Sequence, residues 1–162
     1  MIPVYQTMTV KNDGQGNCFN ACIASVLELP LRKVCQVLPK SEGSWIDQWR
    51  VWLADQGLAL ASMRSPLDPP YGYSIVTVYT ERTYPEGHPK AGVSIAHSCV
   101  AFDGVIVHDP YPLPSEKREI KYYNELRPLT DAEKKLHQSR LDHGRCLHGY
   151  RALCGSCPPL TA

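Results

Sequence analysis

Cys18 stands where a polar, Gly-containing approach meets an apolar run, in Gly16-Asn17-Cys18-Phe19-Asn20-Ala21-Cys22-Ile23-Ala24-Ser25-Val26-Leu27. A thiol is an effective nucleophile only as thiolate, and the N–H groups and partial positive charge of a helix N-terminus favour that anion. Much further along, Ala96-His97-Ser98-Cys99-Val100-Ala101-Phe102-Asp103-Gly104-Val105-Ile106-Val107-His108-Asp109-Pro110 offers two imidazoles and two carboxylates. A thiolate, a base and an acid that orients the base are the parts needed for acyl transfer. A strand histidine by itself is an ordinary core residue. Its coincidence with a cysteine at a helix mouth carries the catalytic reading.

Whether His97 meets Asp109 depends on the turn between them. Apolar residues flank Asp103-Gly104 and predict a β-hairpin. A two-residue Asp103-Gly104 turn sets His97 against Pro110 and projects Asp109 from the wrong face. A three-residue loop Phe102-Asp103-Gly104, with Gly104 left-handed in a G1 bulge, sets His97 opposite Asp109 with Cβ atoms about 5 Å apart. The second register is the one expected. It places Cys99 and Ala101 on the histidine's face, Val100 and Ile106 on the other, and turns His108 away.

The elements around these segments follow from periodicity and punctuation. Val4 to Val10 reads as a short strand, Lys11 to Asn17 as a loop, and the helix beginning near Cys18 ends at Leu29-Pro30. Leu31 to Leu38 reads as a second short helix between Pro30 and Pro39. Ser44 caps a third helix that stops at Gly57, with Trp45, Ile46, Trp49, Trp52 and Leu53 on one core-facing stripe. Strands are expected at Leu58–Met63, Ser74–Tyr79, on both sides of Asp103-Gly104, and near Ile120–Tyr123. Glu81 to Gly92 is a loop long enough to flank a cleft. Thr130-Asp131-Ala132-Glu133 opens a polar helix with a capping box and reaches about Arg140.

Composition narrows the partners. With 17 Lys+Arg against 16 Asp+Glu among 162 residues, no charge excess draws the chain to nucleic acid or to a membrane surface. No apolar stretch is long enough to span a bilayer, and the opening Met1–Gln6 lacks a secretory pattern, so a reducing cytoplasm is the expected compartment. Seven cysteines is an odd number and argues against a fully paired disulfide framework. Cys22 and Cys35 read as small buried hydrophobes.

Taken together, Gly16-x-Cys18-x-x-Ala21-Cys22-x-Ala24-Ser25, a late His97, and His108-Asp109-Pro110 give the chain its likeness. It resembles the compact papain-like cysteine peptidases, nearest in pattern to the bacteriocin-processing branch and to short proteins of bacteria and their phages. The resemblance spans roughly Val4 to Pro110. It implies an α+β fold with N-terminal helices packed on a small antiparallel sheet, in a domain covering residues 1–128. It also implies Cys18 as nucleophile, His97 as general base and acid, and Asp109 as the group fixing the imidazole. A side-chain amide ahead of the nucleophile would help the Cys18 N–H to hold the oxyanion; Gln6 is the leading candidate, with Asn12 and Gln15 as alternatives. The implied reaction is hydrolysis of a peptide or isopeptide bond through a thioester, with a peptide or protein as substrate and no cofactor required. An amine in place of water would give a transglutaminase-like acyltransferase. A cleft without turnover would give a binding module for a peptide or host protein.

Residues 129–162 differ in character: a polar helix, then Cys146-Leu147-His148 and Cys154-Gly155-Ser156-Cys157, with His137 and His143 nearby. Cys146, His148, Cys154 and Cys157 are the ligands expected if the tail holds a structural zinc, although their spacing matches no standard finger. Free thiols packed over the domain, a Cys154–Cys157 disulfide, and a tail that is its own substrate are the alternatives.

Overall fold

Helix α1 (Cys18–Val26) is small or apolar on every side, and Phe19 to Ser25 are all buried. A helix of that composition has no face for water and is enclosed. It ends where Glu28 takes a left-handed conformation (φ 55°). The computed structural model describes residues 1–10, 16–34, 45–112 and 118–142. Asn12, Gln15, Cys35, Ser44 and the cysteines and histidines beyond residue 142, including Cys146, His148, Cys154 and Cys157, lie outside the described residues.

The fold is α+β. Helix α1 is joined by α2 (Trp45–Asp55) and α3 (Asp131–Asp142). The strands are β1 (Leu58–Arg64), β2 (Tyr73–Thr83), β3 (Ser94–Phe102), β4 (Val105–His108) and β5 (Arg118–Pro128). They form one antiparallel sheet in the order β1-β5-β2-β3-β4. Among the described residues no helix is long and apolar enough to cross a membrane. The chain divides into two compact units, Met1–Val34 with Ser62–Glu125, and Cys35–Ala61 with Leu126–Ala162.

In the first unit, Ser74–Val78 of β2 and His97–Ala101 of β3 are buried without interruption, the mark of strands covered on both faces. Val76, Val78, Cys99, Ala101 and Tyr123 form one apolar cluster, with Ile106 and Ile120 against it. The strand expected over Val4–Val10 does not form, because its donors are taken elsewhere. The N–H groups of Thr7 and Met8 both go to Asn17 Oδ1 (3.1 and 3.0 Å). Val4 N–H goes to Ser25 Oγ (2.9 Å), and Gln6 N–H to Pro110 O (3.0 Å). Side chains of α1 and the end of the hairpin satisfy this segment in place of a neighbouring strand. The helix expected over Leu31–Leu38 is a single 3₁₀ turn at Leu31–Lys33, and the rest of that stretch lies outside the described residues.

In the second unit, α2 buries Trp49, Trp52 and Leu53, and the two indoles meet edge to face at 5.7 Å. Trp45 stays 36% exposed, so the core stripe is narrower than the sequence suggests. Gly57 ends the segment at φ 76°, as a C-terminal glycine does. The capping box of α3 is formed in both directions: Glu133 N–H donates to Thr130 Oγ1 and Thr130 N–H to Glu133 Oε2.

The hairpin corrects the expected register. Asp103 (φ 47°) and Gly104 (φ 80°) make a two-residue turn with both positions left-handed, so Phe102 pairs with Val105 and Ala101 with Ile106. Ile106 therefore shares the face of Ala101. Val100 then pairs with His108, which leaves Val107 as the extra residue of a bulge. This one-residue slip returns Asp109, just past the strand, to the face of His97 and Cys99. The hairpin sequence alone does not choose between turn types. A neighbouring loop does, since Gly72 N–H donates to Asp103 Oδ1 (2.7 Å) and Asp103 N–H to Gly72 O (3.1 Å).

Gly104 is under two constraints. A Cβ there would stand 2.7 Å from Pro69 Cβ and 2.9 Å from Pro69 Cγ, on a backbone at φ 80°. Gly104→Ala is expected to lower stability by about 2 kcal/mol, from left-handed strain plus crowding, read as a lower urea midpoint. An unchanged midpoint would contradict the tight turn.

Candidate active site

α1 presents Cys18 from its first turn, half-buried, directly after Asn17. Asn17 occupies the cap position yet makes no side-chain bond to the helix. Its amide is spent on Thr7 and Met8, with Nδ2 donating to Thr7 Oγ1 (3.0 Å). The residue that would ordinarily close the helix mouth instead pins the N-terminal segment across it.

β3 supplies His97 and Ser98. The imidazole is buried at 3% exposure, and its Nε2–H donates to Asp109 Oδ1 at 2.6 Å. That contact leaves Nδ1 as the free ring nitrogen, and the ionisations of Cys18 and His97 are coupled to each other. Asp109 is held in turn by a local bond: Tyr111 N–H reaches Oδ1 at 2.8 Å, closing an Asx turn over Pro110. The turn after β4 thus fixes the carboxylate, and the carboxylate fixes the ring.

Electrostatics reinforce the geometry. Burial alone would push the Cys18 thiol up, but the hydrogen bond and charge of His97, with the N–H and hydroxyl of Ser98, hold it below its usual value. Burial would pull His97 down, but Asp109, Cys18 and Cys99 outweigh it and push the imidazole up to about 11. The two shifts favour one state, thiolate beside imidazolium. Cys22 differs sharply. Its enclosure, and the nearby Cys18, Cys99 and Asp109, drive that thiol well above the usual range and leave it inert.

The structure brings together Cys18, His97 and Asp109. Gln6 lies at the turn after Asp109, tied to Pro110 through its main chain, with one amide hydrogen given to Met8 O (3.0 Å). His108 is turned away as expected: its Nε2–H donates to Val4 O (2.9 Å) and its ring meets Tyr5 edge to face. Three neighbours complete the surroundings. Ser98 acts on the ionisation of Cys18, Cys99 on that of His97, and Tyr111 sets its ring edge to face with the imidazole at 6.2 Å. Ser98 is signalled by its place beside His97 and Cys99 by strand alternation, as expected from sequence; Tyr111 depends on the bulge. His97, Cys99 and Asp109 each offer a ligand atom within 4.8 Å of the others, so the same side chains could hold a metal ion. No family model, curated protein or solved structure matches the chain, and the functional reading therefore rests on this geometry.

Proposed function

We propose that the chain is a thiol hydrolase with Cys18 as nucleophile, His97 as general base and acid, and Asp109 as the positioning carboxylate. One observation carries the reading: the imidazole that Asp109 holds at 2.6 Å and the thiol at the helix mouth are coupled, and their ionisations are shifted in opposite, mutually supporting directions. Thiolate Cys18 attacks an acyl carbon, and the carbonyl π pair moves to oxygen, held by the Cys18 N–H and by the second amide hydrogen of Gln6. As the intermediate collapses, imidazolium His97 protonates the leaving amine and a thioester remains. Water, deprotonated by His97, then releases the acid and restores the thiol.

The substrate class is a peptide or isopeptide bond in a peptide or protein, the kinship that of the papain-like peptidases, and the setting a reducing cytoplasm that keeps Cys18, Cys22 and Cys99 free. The chemistry requires no cofactor. A peptide library analysed by mass spectrometry tests it. Wild type is expected to create new amine termini, Cys18→Ala none, and added hydroxylamine to divert the acyl group to hydroxamates. Identical libraries with and without wild-type protein would overturn the reading.

A further inference from the structure

Arg82, at the end of β2, carries a charge that nothing in the proposed mechanism uses. Its guanidinium carbon lies 3.9 Å over the centre of the Tyr111 ring, so the aromatic face fixes the plane of the group. Nε and Nη2 are both shielded from solvent and have no hydrogen-bond partner among the described residues. These two nitrogens sit on the same side of a guanidinium, and their N–H groups form the parallel fork that matches the two oxygens of a carboxylate. Leaving two donors of a cation buried without an acceptor is costly, and a ligand that supplies an anion removes that cost.

Tyr111 ties the fork to the catalytic groups. The same ring that carries Arg82 meets His97 edge to face at 6.2 Å, and the Tyr111 N–H binds Asp109 Oδ1. The guanidinium carbon and the imidazole centre are therefore no further apart than 3.9 and 6.2 Å laid end to end. At about 3.3 Å per residue, up to three residues of extended peptide bridge that distance.

We propose that Arg82 is a specificity residue that binds a carboxylate of the substrate within three residues of the acyl carbon attacked by Cys18. This rests on the thiol-hydrolase reading and adds the chemical class of what is recognised: an acidic peptide. The carboxylate comes from an Asp or Glu side chain or from a free carboxy terminus. The acid's two oxygens accept from Nε–H and Nη2–H, while Tyr111 keeps the guanidinium in place.

Iodoacetyl peptides separate the possibilities. In one series Glu stands one, two or three residues from the iodoacetyl carbon of an amidated peptide, each with a Gln control. In the other, glycine peptides of the same lengths end in a free acid or an amide. Alkylation rates of Cys18 are read by intact mass. For wild type, one series is expected to show an acid-over-neutral preference of about tenfold or more at one spacing, naming the source of the carboxylate. Arg82→Gln is expected to bring that ratio close to one, and Arg82→Lys, with charge but no fork, to retain only part of it; circular dichroism verifies folding. If Cys18 reacts rapidly with every peptide but shows no acid preference, or keeps it in Arg82→Gln, the Arg82 assignment is overturned and the hydrolase reading stands. If Cys18 reacts no faster than a free thiol with any of them, both fall.

Discussion

Cys18→Ala is expected to reduce turnover by at least about 10⁴-fold, because no other described thiol can substitute for it. Cys22 is buried and held well above the usual thiol range, and Cys99 lies fully enclosed in the apolar cluster of β2 and β3. The loss belongs to chemistry and not to folding. Cys18 is half-buried, and the alanine keeps the helix, so the urea midpoint should move by no more than about 0.5 kcal/mol equivalent. A second consequence follows from the coupling. Cys18 helps to raise His97, so the alanine variant should titrate its imidazole at a lower pH than wild type. Proton-detected titration of the ring, alongside the peptide-library rate, checks both parts. Residual activity within tenfold of wild type would show that another group performs the reaction.

Asp109→Asn is expected to cost about 10²- to 10⁴-fold while leaving the local geometry intact. The amide oxygen of Asn can still accept from His97 Nε2–H and from Tyr111 N–H, so what is removed is charge. The signs follow from the shifts. Hydrolysis requires thiolate and imidazolium together, so the rate falls on the acid side as Cys18 is protonated and on the alkaline side as His97 loses its proton. Without the carboxylate the main force raising His97 is gone, and the alkaline limb moves down from about 11. An imidazole less often protonated also lowers Cys18 less, so the acid limb moves up. The rate profile narrows from both sides. A profile of unchanged width in the variant would mean that Asp109 does not set the ionisation of His97.

Much of this site was legible before any coordinates. The helix mouth at Cys18 is announced by its polar approach and apolar continuation, and burial of Phe19 to Ser25 bears out that pattern. The pairing of His97 with Asp109 was expected, but for a reason that did not hold. The three-residue loop gave the correct partners through the wrong register. The real turn is tighter, and the bulge at Val107 restores the face. Turn choice was hidden because Gly72 and Pro69, distant in sequence, bind and crowd Asp103 and Gly104. The Val4–Val10 strand failed for a related reason. Its alternation is real, yet Asn17 and Ser25 claim the backbone donors that a ladder would need. Arg82 and Tyr111 carry no local signal, since their relation to His97 depends on strands that meet only in the folded chain.

The measurement that bears most directly on the assembled Cys18–His97–Asp109 unit is the rate of Cys18 alkylation by iodoacetamide as a function of pH, site-resolved by mass spectrometry. Alkylation needs only the thiolate, so it lacks the alkaline limb of hydrolysis and isolates the ionisation of the sulfur. The expected result is rapid labelling at neutral pH, with a midpoint below that of an ordinary thiol and shifted upward in His97→Ala. Labelling that rises only in the alkaline range of a free cysteine, and is indifferent to His97, would contradict the unit and with it the proposed chemistry.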